Sequence, residues 1–271
     1  MDENVKAQDE NDALTQQVPA WEPAPSAQPV WMPSQFNDDS QLTDYARRRK
    51  MRRRARNRDD YAGRDFTLGE IIANSVSQGV AAAGALAMLV ILAIVALGHG
   101  GGMRLVAALL FAVPTFVAFL MSTLYHAIQP ERAKRVFKIL DQSSTYLLIV
   151  GAFAPYCLLT LSGRGGEQVF FILCGIAVAG ILVEALWATR PRWIHGILYG
   201  AMCVPFLAQI PRLLELLPAP GFWLLAAALV GLAVSLLFRW FSSVHYLRMV
   251  FHIVVIAGVV CIFLSVVLFV I

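Results

Sequence analysis

The sequence predicts an all-α membrane protein: a seven-transmembrane-helix bundle with its N-terminus in the cytoplasm, preceded by a disordered N-terminal arm. Three observations carry that prediction. Hydrophobic residues make up 58% of the chain and charged residues 15%, whereas a soluble domain is nearer half apolar and a quarter charged. From about residue 80 onward, long apolar runs alternate with short polar breaks. Lysine and arginine then favour every second break, as expected of a chain threaded through a bilayer by the positive-inside rule.

Residues 1–65 form the first element. They are rich in Pro, Gln, Asn, Asp and Ser and poor in branched aliphatics. Such a segment buries too little apolar surface to offset its ordering entropy, so disorder is expected, with Trp21 and Trp31 as isolated aromatics in a flexible tail. No secretory signal peptide is expected at this polar, acidic start. Arg47 to Arg58 reads RRRKMRRRARNR, directly ahead of the apolar runs. A block of this kind binds nucleic acid or anionic lipid. Beside a membrane span, and without an RNA-type aromatic or glycine-rich motif, it is expected to set topology and meet anionic lipid headgroups, with no nucleic-acid partner.

The spans are expected at about 80–97, 105–125, 143–161, 169–188, 193–211, 221–238 and 249–271. Each is near the ~20 residues that cross a hydrocarbon core as a helix. Helices and closed barrels alone satisfy their backbone in lipid, and continuous apolar runs of this length are helical. Pro114, Pro155 and Pro205 fall inside spans two, three and five, where each removes a backbone donor and should kink its helix. Gly196 and Gly200 form a GxxxG pair, a weak signal for close helix approach. Cys157, Cys174, Cys203 and Cys261 lie in apolar runs without CxxC spacing, which points to small buried residues rather than a metal or redox pair.

Charge then fixes the orientation. Breaks after spans two, four and six carry Arg132, Lys134, Arg135 and Lys138, then Arg190 and Arg192, then Arg239 and Arg248. The intervening breaks carry only Arg104, Arg164 and Arg212. The excess puts the N-terminus inside and the C-terminus outside a bacterial-type cytoplasmic (inner) membrane.

That topology gathers several polar residues at one depth, and ionisable groups inside a membrane are site candidates by default. His126 ends span two with Ser122 one turn before it; Asp141 just precedes span three; Arg248 and His252 open span seven. One carboxylate and two imidazoles from three helices suit zinc, which takes neutral nitrogen and anionic oxygen. The same residues also suit helix ends that cap themselves and meet headgroups. Glu184 sits within span four and is expected to reach toward Arg190 or Arg192. His195 is expected at the interface, and His99 in an outer turn without a role.

At these positions the chain resembles the hemolysin III family, within the progestin and adipoQ receptor superfamily. The matching segments are FTLGEIIANSVSQG (66–79), MSTLYH (121–126), LDQSSTYLLIVGAFAPY (140–156) and FHIVVIAG (251–258). The resemblance covers about residues 66–271 and leaves the arm unmatched. It implies seven helices, an inside N-terminus and a zinc ion near the cytoplasmic leaflet. His126 and His252 would be zinc ligands, Asp141 would hold a zinc-bound water, and Ser122 and Ser143 would belong to the same elements. Glu70 and Asn74, one turn apart in the first segment, are expected on a short inner helix covering the site.

Three positions depart from the family pattern. The first histidine of the final His-x-x-x-His falls on Arg248, Thr-His-Gly reads Ser77-Gln78-Gly79, and Asp-His-Ser reads Asp141-Gln142-Ser143. Arginine stays protonated and cannot ligate a metal. His245 is an imperfect substitute, because seven residues of helix separate it from His252 by about 10.5 Å. The expected functions are therefore a divergent, metal-assisted lipid amide or ester hydrolase, or a non-catalytic protein that senses or organises lipid with an Arg248–Asp141 ion pair in place of zinc. The cytolytic activity in the family's name is a third, although no amphipathic pore-forming stretch accompanies it.

Overall fold

The computed structural model describes residues 47, 67–128, 130–186, 193–240 and 246–271, except the side chains at 131, 193, 195 and 236–240. The arm and its basic block, Arg47 apart, lie outside the described residues, as do Arg190, Arg192 and His245. Among the described residues the chain is all-helical. In order the elements are α1 (Leu68–Gly98), α2 (Gly102–Ala127), α3 (Glu131–Pro155) with a π-helical turn (Tyr156–Thr160), α4 (Gly166–Leu186), α5 (Trp193–Leu207), α6 (Ile210–Leu216), α7 (Ala219–Trp240) and α8 (Leu247–Phe269).

α1 begins well before residue 80 because its first turn is capped on both sides. Thr67 Oγ1 accepts from the Glu70 N–H at 3.2 Å, and Glu70 Oε2 accepts from the Thr67 N–H at 3.0 Å. This capping box satisfies donors that a helix start otherwise leaves unpaired. Glu70 and Asn74 therefore belong to one continuous 31-residue helix, not to a separate short one.

Five stretches are long and apolar enough to cross a membrane: α1, α2, α3 with its π turn, α4 and α8. α5 and α6 meet at a 46° bend and make a sixth if they form one broken span. α7 is 22 residues long, with a described apolar stretch at Ala219–Ser235. Two of the three prolines act as the sequence suggests. Pro155 leads directly into the π turn, and Pro205 precedes the end of α5 and the bend. Pro114 stays inside α2, and the carbonyl it frees, that of Leu110, faces Gly151 of α3. A Cβ at Gly151 would lie 2.5 Å from that oxygen, so glycine is what lets the two helices close. No described heavy atom lies within 4 Å of a Cβ placed at Gly196 or Gly200, so that GxxxG pair joins no helices within the described chain.

α1 packs on α2, α2 on α3, α3 on α4 and α4 on α5, and α8 returns against α7, α1 and α3. α3 is central, touching α2, α4, α5 and α8. Along α1 the buried face includes Ala81, Ala82, Ala85, Met88, Leu92 and Ala96, and α2 buries Ala107, Ala108, Phe111 and Ala112. Small residues allow this closeness, as they do between helices in lipid. The outward face of α1 is apolar too, with Leu68, Ile72, Val76 and Val80 more than half exposed.

Candidate functional site

One end of the bundle is polar inside. It is the end where α1, α3 and α8 start and α2 finishes. On α1, Glu70, Asn74 and Gln78 recur every four residues and are buried, the last two at 1% and 2% exposure. The i, i+4 spacing puts all three on one helix face. α2 contributes Ser122 and His126, also one turn apart and buried. The two helices stay close here, a Cβ at Gly79 lying 3.6 Å from Thr123 Cγ2.

His126 and His252 meet edge to face, with ring centroids 5.4 Å apart. Tyr125 and Phe251 extend the ring cluster at 4.9 Å from His126 and 5.2 Å from His252. Lys134 Nζ stands 5.7 Å from the centre of the Tyr125 ring, within cation–π range. Asn74 Oδ1, Gln78 Oε1 and His126 Nε2 are buried without a hydrogen-bond partner. Native proteins pair nearly all such atoms, so an orphan needs an explanation, and a site awaiting a ligand is one.

A cavity of about 140 Å³ opens beside these groups. Its polar wall includes Gln78, Ser122, Lys138, Asp141, Arg248 and His252. Further along the helices the wall becomes apolar, with Leu148, Ile149, Phe153, Val255, Val259 and Ile262. Tyr199 and Cys203 of α5 and Leu232 and Ser235 of α7 contribute as well. The Ser235 and Thr145 hydroxyls donate to backbone carbonyls, those of Leu232 (2.7 Å) and Asp141 (3.0 Å). Those two hydroxyl protons are committed to the helices.

The structure thus brings together Ser122, Asp141, Arg248 and His252 on one cavity, with His126 in ring contact behind His252. Ser143 is half-buried and does not line it. Glu70 and Asn74 lie on the buried face that leads to Gln78, and Glu70 Oε1 accepts from the Tyr246 N–H at 2.9 Å, where α8 begins. Tyr246 was not evident from sequence. It has φ 59°, a left-handed conformation uncommon outside glycine, and nothing in its neighbours signals that. Gln78 stands out in the sequence as a departure from the family's Thr-His-Gly, and it shares a four-residue period with Glu70 and Asn74. Glu184 is fully buried in α4, with its expected partners beyond the described residues. His99 Nδ1 contacts the Val95 carbonyl at 2.8 Å, an exposed helix-end contact.

The donor set does not fit the zinc ion that the family resemblance implies. Among the described residues, no three His, Cys, Asp or Glu side chains come together as a metal would require. The position that would supply a further imidazole, one turn before His252, carries the Arg248 guanidinium, which has no lone pair to give. The four cysteines are free thiols, and Cys157 is buried.

Residues 70–263 match the family model described as Haemolysin-III related. A protein described as Hemolysin-3 from Bacillus cereus is 31% identical over 201 residues, covering 74% of this chain and 92% of that protein. A Hemolysin-3 homolog from Bacillus subtilis (strain 168) is 27% identical over 201 residues, covering 74% of this chain and 94% of that protein.

Proposed function

This chain belongs to the haemolysin-III-related family, and from that premise we propose that it binds a lipid-like amphiphile in an intramembrane cavity without hydrolysing it. The observation that carries this reading is the cavity itself, polar at one end and apolar along Leu148, Phe153, Val259 and Ile262. Pockets that hold small ligands are largely apolar with a few placed polar groups, and this one lies between helices of a multi-pass membrane protein. The metal-assisted hydrolase has Asp141 and Ser122 on the same wall, but its donor set is incomplete, which favours binding over turnover.

The full-length chain purified in a mild neutral detergent is expected to retain about one amphiphile, detectable by native mass spectrometry. Filling the apolar section with Ala152→Phe, or with Ala118→Phe should the first variant fold poorly, is expected to lower that retention. Retention unchanged by both substitutions, or zinc-dependent cleavage of a lipid amide or ester, would overturn the binding reading.

The same reading includes a topology. Seven spans follow if α5 and α6 form one bent span and α7 another. The Lys/Arg asymmetry supports residues 1–65 in the cytoplasm, Ile271 outside, and placement in the cytoplasmic (inner) membrane. The polar end of the cavity then lies at the inner leaflet. Within that leaflet the block from Arg47 to Arg58 would meet anionic headgroups, at about 1 kcal/mol per basic residue near the surface. Reporter fusions after Asp65 and after Ile271 are expected to report opposite compartments; matching compartments would break the seven-span topology.

A further inference from the structure

Two helices that begin at the polar end, α1 and α8, are started in different ways. α1 opens on its own capping box, with Thr67 as the N-cap. α8 opens on Tyr246, at φ 59° and ψ 0°, and no described side chain caps it from within its own first turn. A bulky residue in the left-handed region is strained, and it persists only where its surroundings hold it there. What holds Tyr246 comes from the far end of the sequence.

We propose that Glu70 is a positioning residue for the cavity, a latch whose one buried carboxylate caps α1 and fastens the strained start of α8, so that releasing Tyr246 shifts the first turn of α8 while the rest of the bundle stays in place.

The carboxylate is divided between the two helices. Its Oε2 accepts from the Thr67 N–H (3.0 Å) and hydroxyl (3.1 Å), and its Oε1 accepts from the Tyr246 N–H (2.9 Å). Both N–H groups belong to N-cap residues. The Thr67 carbonyl accepts from the Ile71 N–H at 3.2 Å, and the Tyr246 carbonyl accepts from the Val250 N–H at 3.1 Å. A carboxylate at this point therefore complements the positive ends of two helix dipoles at once. Glu70 is 2% exposed, so water competes little for these bonds. The residue beside it is glycine, and a Cβ at Gly69 would stand 3.0 Å from the Tyr246 hydroxyl oxygen, so the tyrosine ring lies across the first turn of α1.

Both helices joined by the latch go on to wall the cavity. Arg248 follows Tyr246 by two residues and His252 by six, and both line it. On α1, Gln78 lines it two turns beyond Glu70. The position of the α8 groups relative to Gln78 thus depends on a bond that neither helix makes within itself.

The test reads that position directly. The full-length chain, its four free cysteines replaced by alanine, carries spin labels at two pairs of exposed positions, examined in neutral detergent by double electron–electron resonance. Val250 with Leu182 reports on the polar end, and Leu264 with Phe171 on the opposite end. Glu70→Ala is expected to broaden the Val250–Leu182 distance and move its mean by more than ~1.5 Å, the rise of one helical residue, with the Leu264–Phe171 distance unchanged. Glu70→Asp keeps the charge but is one methylene too short to reach both N–H groups, and the same shift is expected. Glu70→Gln retains an acceptor oxygen for the Tyr246 N–H and is expected to return the distance to that of the unmodified chain. Thr67→Ala, which removes the cap hydroxyl but not the bond to Tyr246, is expected to lower the unfolding midpoint and leave both distances in place. An unmoved Val250–Leu182 distance in Glu70→Ala and Glu70→Asp overturns the proposal. So does an equal shift at both ends, or a Thr67→Ala variant that reproduces the displacement. If Glu70→Ala does not fold, Glu70→Asp decides by the same criteria. The labels report on the walls of the cavity, so the outcome is separate from whether an amphiphile binds there.

Discussion

α1 and α2 pack against each other along their whole length, yet the two halves of that contact are built differently. In one half, Ala81, Ala85, Leu92 and Ala96 of α1 and Ala107, Ala108, Phe111 and Ala112 of α2 are all buried and apolar. The one buried hydroxyl on the adjoining stretch of α2, Thr115, donates back to the Phe111 carbonyl at 2.7 Å. In the other half, Asn74, Ser75, Gln78 and His126 each keep a buried polar atom without a partner. An unsatisfied buried group costs about 1–3 kcal/mol, so the polar half is less favourable than the alanine-rich half by several such penalties. Burial alone does not distinguish the halves. What does is whether the buried groups are complete, and the incomplete half is the one that adjoins the cavity. The alanine-rich half should therefore respond to substitution through stability, and the polar half through ligand.

The largest effect is expected in the alanine-rich half. Phe111 is fully buried, and Phe111→Ala would remove most of its side chain with little room for collapse between fixed helices. A loss of about 3–5 kcal/mol is expected, read as a lowered unfolding midpoint of the purified chain. A loss below about 1 kcal/mol would mean that this half is loosely packed and the comparison is wrong.

Next comes Gly151→Ala, which adds rather than removes atoms. Its Cβ would meet the Leu110 carbonyl oxygen at 2.5 Å, Pro114 Cγ at 3.3 Å and Phe111 Cα at 3.4 Å. Two of these three neighbours are backbone, so relief requires moving a helix. Overpacking of this kind costs about 1–3 kcal/mol. The same melting measurement checks it, and an unchanged midpoint would show that α2 and α3 can separate freely.

The architecture was largely legible because it rests on long-range regularities. Apolar runs of span length dictate helices in any context that excludes water, and the observed helices follow the expected runs in order. What escaped were local decisions. The start of α1 moved because the Thr67–Glu70 pair forms a capping box, a signal present in the letters but outranked by hydropathy. The bend between α5 and α6 falls just after Pro205, so its site was readable while its angle was not. At the site, His126, Ser122, Asp141, Arg248 and His252 converge as their depth along the spans suggested. The left-handed Tyr246 and its bond to Glu70 were invisible, since they join positions 176 residues apart and depend on how α8 is fed into the bundle.

The smallest change in stability is expected at Gln78, where the direction should reverse. Gln78 is 2% exposed, lines the cavity, and keeps Oε1 without a partner. Gln78→Met conserves length and approximate volume while removing the unsatisfied oxygen. Replacing an unsatisfied polar group by an apolar one of similar shape is nearly neutral or stabilising, so the midpoint should hold or rise, within about 1 kcal/mol. Binding should move the other way, because the amide is one of the few uncommitted polar groups facing a bound headgroup. A fall of about fivefold in amphiphile affinity is expected, the scale of one ordinary hydrogen bond. If Gln78→Met instead unfolds the chain at a cost like that of Phe111→Ala, the amide is structural and the two halves of the α1–α2 contact serve one purpose. A variant at least as stable as the unmodified chain and weaker in binding would place Gln78 with the site, and would explain why the buried face of α1 stays polar as far as Gln78 before it turns to alanine, methionine and leucine.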